Sequence, residues 1–389
     1  MAVGEKSFFL VALAFAFCYV ACSNSESYSD ARAIEVPEPV VTAGPDLEWT
    51  WVHHNSDQLR ITGRTNYEKG DFVILSWSSS AITVGFMGTA VEASVWTGDT
   101  VYLDVFVDGE EDPSSFLEIA SPDIDSTIFP VVSNLPYGPH VVTLYKRSEA
   151  KFGDLYFFGL RVLGEADKSL LPAPPEHKIE FIGNSITCGS DVLIPVQGGE
   201  FRLINESSYY GYAGQTARIL HAEIHNICNG GHGVYLNCDG SNTFLLPFVY
   251  NRTGALPFVA FPWDHNKWHP DAVVVNLGTN DFASGKNDST GFVNATVKFI
   301  RRIRTYHPEA KIVLLDGPML TGKLMALCRR YLDVAKATLE KEGIKDLYRF
   351  SLEPKGESPY DVYFHPNKEE AAQDAESLSA WIRSEFGWN

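Results

Sequence analysis

Near residue 170 the hydrophobic pattern of this chain changes character, and that change limits the folds open to it. From about residue 46 to 165, short runs alternate apolar and polar positions between turn residues. In the clearest of them, Val101, Leu103, Val105 and Val107 share one face. Period-two runs repeated in this way predict an all-β sandwich. Residues 166–177 then read ADKSLLPAPPEH, where the three prolines Pro172, Pro174 and Pro175 end the strand pattern and mark a domain boundary.

Beyond it, apolar strands alternate with helical stretches. Lys178–Gly183, Asp271–Leu277 and Ile312–Leu315 read as buried strands. Tyr209–Ala222, Phe292–Thr305, Leu320–Lys341 and Lys368–Phe386 carry helical spacing. Such alternation predicts a three-layer α/β domain over 178–389, a parallel sheet with helices on both faces. Sites in sheets of this kind form beyond the C-terminal ends of the strands.

The N-terminus reads as a signal peptide over 1–22, with an apolar core from Phe8 to Val20. That run is too short for a comfortable membrane span, which needs about 20 residues. Residues 23–45 read as a Ser-, Glu- and Pro-rich linker. A secreted protein is therefore expected, with N-glycosylation sequons at Asn205, Asn251, Asn287 and Asn294. Two of the six cysteines fall in the signal region. Cys188, Cys228, Cys238 and Cys328 remain, and their spacing leaves all three disulfide connectivities open. The net charge of −18 excludes a nucleic-acid partner, since phosphate binding needs clustered Lys and Arg. Seventeen Tyr and eight Trp can build a core and also suit a sugar-binding surface, and most are expected to be core.

Four segments carry chemistry. Gly183-Asn184-Ser185-Ile186-Thr187 follows the first α/β strand, so Ser185 opens at a strand end. Asn229-Gly230-Gly231-His232-Gly233 follows the second strand, where glycine lets a backbone N–H approach a ligand closely. Leu277-Gly278-Thr279-Asn280-Asp281 follows a third strand. There Asn280 can offer its amide to an oxyanion, while Asp281 reads as structural. Tyr363-Phe364-His365-Pro366-Asn367 precedes the last helix, and His365 can reach across the strand ends as a general base.

In their order along the chain, these segments resemble the four blocks of the SGNH (GDSL-like) hydrolase superfamily. Trp263–Asp281 and Gly183–Gly189 further resemble carbohydrate esterase family 2, which places a jelly-roll sandwich before the SGNH domain. The resemblance implies an esterase that removes acetyl groups from plant polysaccharide such as xylan or glucomannan, without metal or organic cofactor. It implies Ser185 as nucleophile and His365 as base. It also implies an oxyanion hole from the Ser185 and Gly231 backbone N–H groups and the Asn280 side chain, with Gly230 or Gly233 as alternative donors. Phe364 and Trp263 are expected to contact sugar.

The last block departs from the family, because the positions that often hold Asp are Val362 and Tyr363 here. Either Asp361 orients the imidazole or a backbone carbonyl does, in a Ser-His dyad; the dyad is the preferred expectation. The rival readings are an esterase or lipase-like enzyme for other small acyl esters, and a non-catalytic carbohydrate-binding protein. The partner expected is an acetylated polysaccharide or oligosaccharide, with no membrane span and a monomeric state.

Overall fold

The computed structural model describes residues 46–66, 70–120, 127–256, 260–286, 288–358 and 362–388. The expected signal peptide and linker, Asn287 and Asp361 lie outside the described residues.

The first domain is antiparallel. Its strands are β1 Trp49–His53, β2 Leu59–Thr62, β3 Thr65–Asn66, β4 Val73–Leu75, β5 Ala81–Trp96, β6 Val101–Val107, β7 Ser115–Ile119, β8 Thr127–Val132, β9 Gly138–Lys146 and β10 Leu155–Ala166. The 16-residue β5 joins two layers. Its first half pairs with β2 and β9, and its second half with β8 and β10. A register shift between Leu163 and Gly164, opposite Gly88–Ala90, lies where the strand passes from one set of partners to the other. Val84, Val91, Val105, Leu144 and Val162 fill the space between the layers.

The second domain has five parallel strands: β11 His177–Gly183, β12 Ala222–Cys228, β13 Ala272–Asn276, β14 Lys311–Asp316 and β15 Leu347–Ser351, in the order β12-β11-β13-β14-β15. The helices are α1 Ser185–Cys188, α2 Tyr212–Ile219, α3 Leu246–Val249, α4 Thr279–Ala283, α5 Ser289–Tyr306, α6 Gly322–Lys341 and α7 Lys368–Phe386. Val273, Val275, Ile312 and Leu314 face α5 and α6, while Ile179, Phe181, Val274 and Val313 face α2 and α7. These are the three layers that the alternating pattern predicts. α2 is shorter than its apolar spacing suggests: Gly211 caps it, and His221 turns with φ +47° so that Ala222 opens β12. Among the described residues, no helix is long and apolar enough to cross a membrane.

The proline-rich segment does not separate two independent bodies. Arg64 of the sandwich reaches β11 and sets its Nη2 2.8 Å from Glu180 Oε1, with both side chains essentially inaccessible. The Tyr250 hydroxyl donates to the other Glu180 oxygen at 2.8 Å. Trp77 joins the core cluster on the same face of the parallel sheet. His265 lies nearby, its ring stacked on Tyr306 with centroids 3.9 Å apart. Burial and the neighbouring Arg64 depress its pKa to about 2, so it is neutral when folded.

Two stability predictions follow from this interface. Replacing one member of a buried pair strands the other charge, so Arg64→Met should cost about 3–5 kcal/mol in urea unfolding. Adding Glu180→Leu should recover most of that loss, and no recovery would mean that the pair is not the cause. The unfolded chain protonates His265 near pH 6.5 and the folded chain does not, so stability is lost as pH falls below 6.5. Phe would keep the stack without titrating. His265→Phe should therefore gain on the wild type by up to about 2 kcal/mol between pH 7.5 and pH 5.

Candidate active site

β11 ends at Gly183, and the side chain of Asn184 accepts the Ile186 N–H at 3.1 Å to cap α1. This places Ser185 at the first helical position, part-exposed between buried Asn184 and Ile186. Its N–H is one of those that have no acceptor within a helix. The helix lasts one turn. Gly189 ends it with φ +79°, and a Cβ there would lie 2.2 Å from the Ser207 carbonyl oxygen. Only glycine combines that backbone angle with so close an approach. Asp191 follows with φ +58°, a value that non-glycine residues seldom adopt.

The chain reversal completes a line of three polar groups. His365 Nε2 lies 2.8 Å from Ser185 Oγ, and His365 Nδ1 lies 3.1 Å from Asp191 Oδ2. The carboxylate beside the imidazole thus comes from the nucleophile's own segment, six residues after Ser185. Asp191 was not among the expected partners of the ring, and Asp361 lies outside the described residues. The clue in the sequence was the glycine one turn after Ser185, which returns the chain toward the strand ends. His365 is held in place from the other side. Asn367 caps α7 through a reciprocal capping box with Glu370. Gln197 donates to Glu370 Oε2 at 3.2 Å and accepts from the Tyr363 hydroxyl at 3.3 Å. Phe364 is 52% exposed beside Tyr363 and the Gly198 turn.

The glycine turn after β12 can be resolved by its hydrogen bonds. The Gly230 N–H donates to Glu149 Oε2 at 2.6 Å and the Gly233 N–H to Asn237 Oδ1 at 3.3 Å. Among the described residues the Gly231 N–H has no acceptor, and its φ of +83° suits glycine. Asn280 Nδ2 donates one hydrogen to the His232 carbonyl at 2.8 Å, which leaves its second hydrogen available. Asp281 accepts the N–H groups of Val234, Tyr235 and Leu236, as a loop-holding residue should. Burial raises its pKa to about 6 against those bonds. Glu149 itself is buried, with Lys151 Nζ 2.7 Å from its other oxygen. Burial and the Glu149 charge push the nearby Glu206 well above the usual carboxylate range.

Other expected residues lie elsewhere. Trp263 packs on His225 and Arg64, against the middle of the sheet and not at the strand ends, because Glu180 and His225 pair three residues before Gly183. Asn294 is exposed on α5, and Asn205 and Asn251 are half-buried. A cavity of about 780 Å³ beside Phe244, Phe248 and Asn251 is lined by none of Ser185, His365, Asp191, Gly231 or Asn280. No cluster of three or more His, Cys, Asp or Glu side chains that could hold a metal occurs among the described residues.

A hydroxyl, an imidazole that can accept its proton, and amide donors that follow the ends of the adjacent strands are the parts needed for acyl transfer. The fold and this arrangement define a GDSL-type hydrolase domain behind a sandwich. Residues 181–371 match the GDSL-like Lipase/Acylhydrolase family, and residues 61–174 match Carbohydrate esterase 2 N-terminal. The structure of a family two carbohydrate esterase from Clostridium thermocellum in complex with cellohexaose superposes with a TM-score of 0.78. It is 32% identical and matches 85% of this chain and all of that one. The chain belongs to carbohydrate esterase family 2. It is 33% identical to the cellulase/esterase CelE of Acetivibrio thermocellus, matching 85% of this chain but spanning only 40% of that protein. It is 26% identical to an acetylxylan esterase / glucomannan deacetylase of Cellvibrio japonicus, over 95% of both.

One of the open disulfide pairings is formed. Cys188 at the end of α1 bonds Cys228 at the end of β12, closing a separation of 40 residues, while Cys238 and Cys328 are free thiols. The bridge ties the segment of Ser185 to the strand that leads into the Gly231 turn. Cys188→Ala/Cys228→Ala should lower unfolding stability by about 2–4 kcal/mol relative to the oxidised protein. An unchanged midpoint under oxidising conditions would show that the bond does not form.

Proposed function

We propose that the chain is a secreted serine esterase that removes O-acetyl groups from polysaccharide through an acetyl-Ser185 intermediate. The observation that carries this is the contact of 2.8 Å between Ser185 Oγ and His365 Nε2, with Asp191 on the far ring nitrogen.

His365 takes the Ser185 proton as the oxygen attacks the acetyl carbonyl. The developing oxyanion is held by the Ser185 and Gly231 backbone N–H groups and the free hydrogen of Asn280. His365 then gives its proton to the departing sugar hydroxyl. Water attacks the acetyl ester with the same imidazole as base, releasing acetate and restoring Ser185. Asp191 keeps the ring in the tautomer that accepts at Nε2 and favours the imidazolium as it forms. Phe364, exposed next to His365, offers a ring face to a sugar. The names of the relatives from Cellvibrio japonicus and Clostridium thermocellum support a β-linked plant polysaccharide as the carrier of the acetyl group. The apolar N-terminal segment supports export, and exposed Asn294 is a fit glycan acceptor if the host is a eukaryote.

Ser185→Ala should abolish acetate release from both p-nitrophenyl acetate and acetylated xylan; retained turnover would reject the assignment. Asn280→Ala should lower kcat by about 10²–10³-fold. The third member is tested by comparison. Asp191→Asn should lower kcat by about 10²-fold or more, whereas Asp361→Asn should stay near wild type. Full activity of Asp191→Asn would leave a Ser-His dyad.

A further inference from the structure

A second cleft lies on the sandwich next to this site. It has a volume of about 330 Å³ and is lined by Trp96, Gly98, Asp99, Lys151, Phe152 and Tyr156, among others. That volume is at the small end of the range for ligand pockets, about 300–1,000 Å³. Its walls are three aromatic rings and two exposed charged groups. Trp96 and Tyr156 meet edge to face with centroids 4.8 Å apart, and Phe72 braces Tyr156 from behind at 5.3 Å. Rings held by one another lose little freedom when a ligand stacks on them.

Two of the cleft's lining residues, Lys151 and Phe152, touch segments that lead to the candidate active site. Phe152 stacks on Phe201 with centroids 5.5 Å apart and planes within 19°. Phe201 ends the loop that begins at Asp191 and carries Gln197 and Gly198, which touch the His365 segment. Lys151 is salt-bridged to Glu149, the residue that binds the Gly230 N–H directly before Gly231. A ligand in the cleft would therefore lie against the back of both the oxyanion turn and the histidine-side loop.

We propose that this cleft is a distal sugar subsite, which binds a backbone ring of the same polysaccharide chain whose acetyl group lies at Ser185. The proposal rests on the polysaccharide reading above and extends it to the sandwich. The faces of Trp96 and Tyr156 can stack on the C–H faces of a pyranose. Phe152 is covered by Phe201 and Lys151 and serves as a floor, while Asp99 and Lys151 can bond the sugar's equatorial hydroxyls. A small acyl ester would engage Ser185 without reaching this cleft.

The test compares acetylated xylo-oligosaccharides of increasing length with p-nitrophenyl acetate. Trp96→Ala/Tyr156→Ala should leave kcat/KM on p-nitrophenyl acetate within about twofold. It should raise KM on long substrates about tenfold, the change produced by losing roughly 1.4 kcal/mol of binding. Gly98→Met is the second variant, because a Cβ at Gly98 meets only the tip of Trp96, at 3.5 Å. It obstructs the cleft without disturbing the core and should give the same length-dependent rise in KM. If the wild type favours long substrates and Gly98→Met does not alter that preference, the subsite is overturned. If the wild type hydrolyses p-nitrophenyl acetate but no acetylated oligosaccharide, the substrate reading fails first and takes the subsite with it.

Discussion

The candidate site depends on how abruptly the chain turns after Ser185. A longer helix would have carried residues 189–191 away along its axis. Instead α1 stops after one turn, because Gly189 adopts a left-handed angle against the Ser207 carbonyl. The reversal does two things at once. It leaves Ser185 part-exposed on a segment otherwise buried, and it returns Asp191 to the imidazole of His365. Ser185 and Asp191 thus share seven residues of backbone, with His365 set between them from the far end of the chain. Asp191 holds φ +58° to do so, a conformation that costs on the order of 1 kcal/mol or more and has to be offset by the contacts around it.

The sandwich takes part in this geometry as well. Glu149, in the loop between β9 and β10, takes the Gly230 N–H and pairs with Lys151. With Gly230 bound to the sandwich and Gly233 bound to Asn237, Gly231 is left with an unused N–H beside Ser185's segment. A donor that has no internal acceptor needs no prior rearrangement to meet a ligand, the condition that the proposed oxyanion hole requires. The buried Arg64–Glu180 pair anchors the same interface lower on the sheet. One domain therefore sets the backbone of the other, and the proline-rich stretch between them is a crossing point within one body.

Much of this was legible in the chain. Short strand patterns separated by turns before residue 166, and strands alternating with helical spacing after residue 177, distinguish the antiparallel sandwich from the parallel sheet, although Val101–Val107 and Ala272–Asn276 are both buried throughout. Ser185, Gly231, Asn280 and His365 each follow an apolar strand or precede a helix, and the structure brings Ser185 and His365 into contact. Asp191 was missed for a physical reason. Its usefulness depends on a left-handed turn and on the packing of Gly189 against Ser207, neither of which leaves a periodic trace. Trp263 is expected to contact sugar only through the family resemblance; it is half-buried and packs on His225 and Arg64, a placement that no sequence pattern encodes. The helix predicted over Tyr209–Ala222 was too long at both ends, since apolar spacing cannot register a glycine cap or a positive φ at His221.

The source of the orienting carboxylate also bears on how the site would respond to movement. Were it on the histidine's own loop, a shift of that loop would carry carboxylate and imidazole together away from Ser185. Here Asp191 is fixed to the Ser185 segment by Gly189 and by the Cys188–Cys228 bond. His365 comes from a different element, set by the Asn367 cap and the Gln197 contacts. A displaced His365 thus loses both partners together, and a returning one regains both. The line of three groups is accordingly either assembled or broken as a unit, and the single element that decides between the two is the short segment that enters α7.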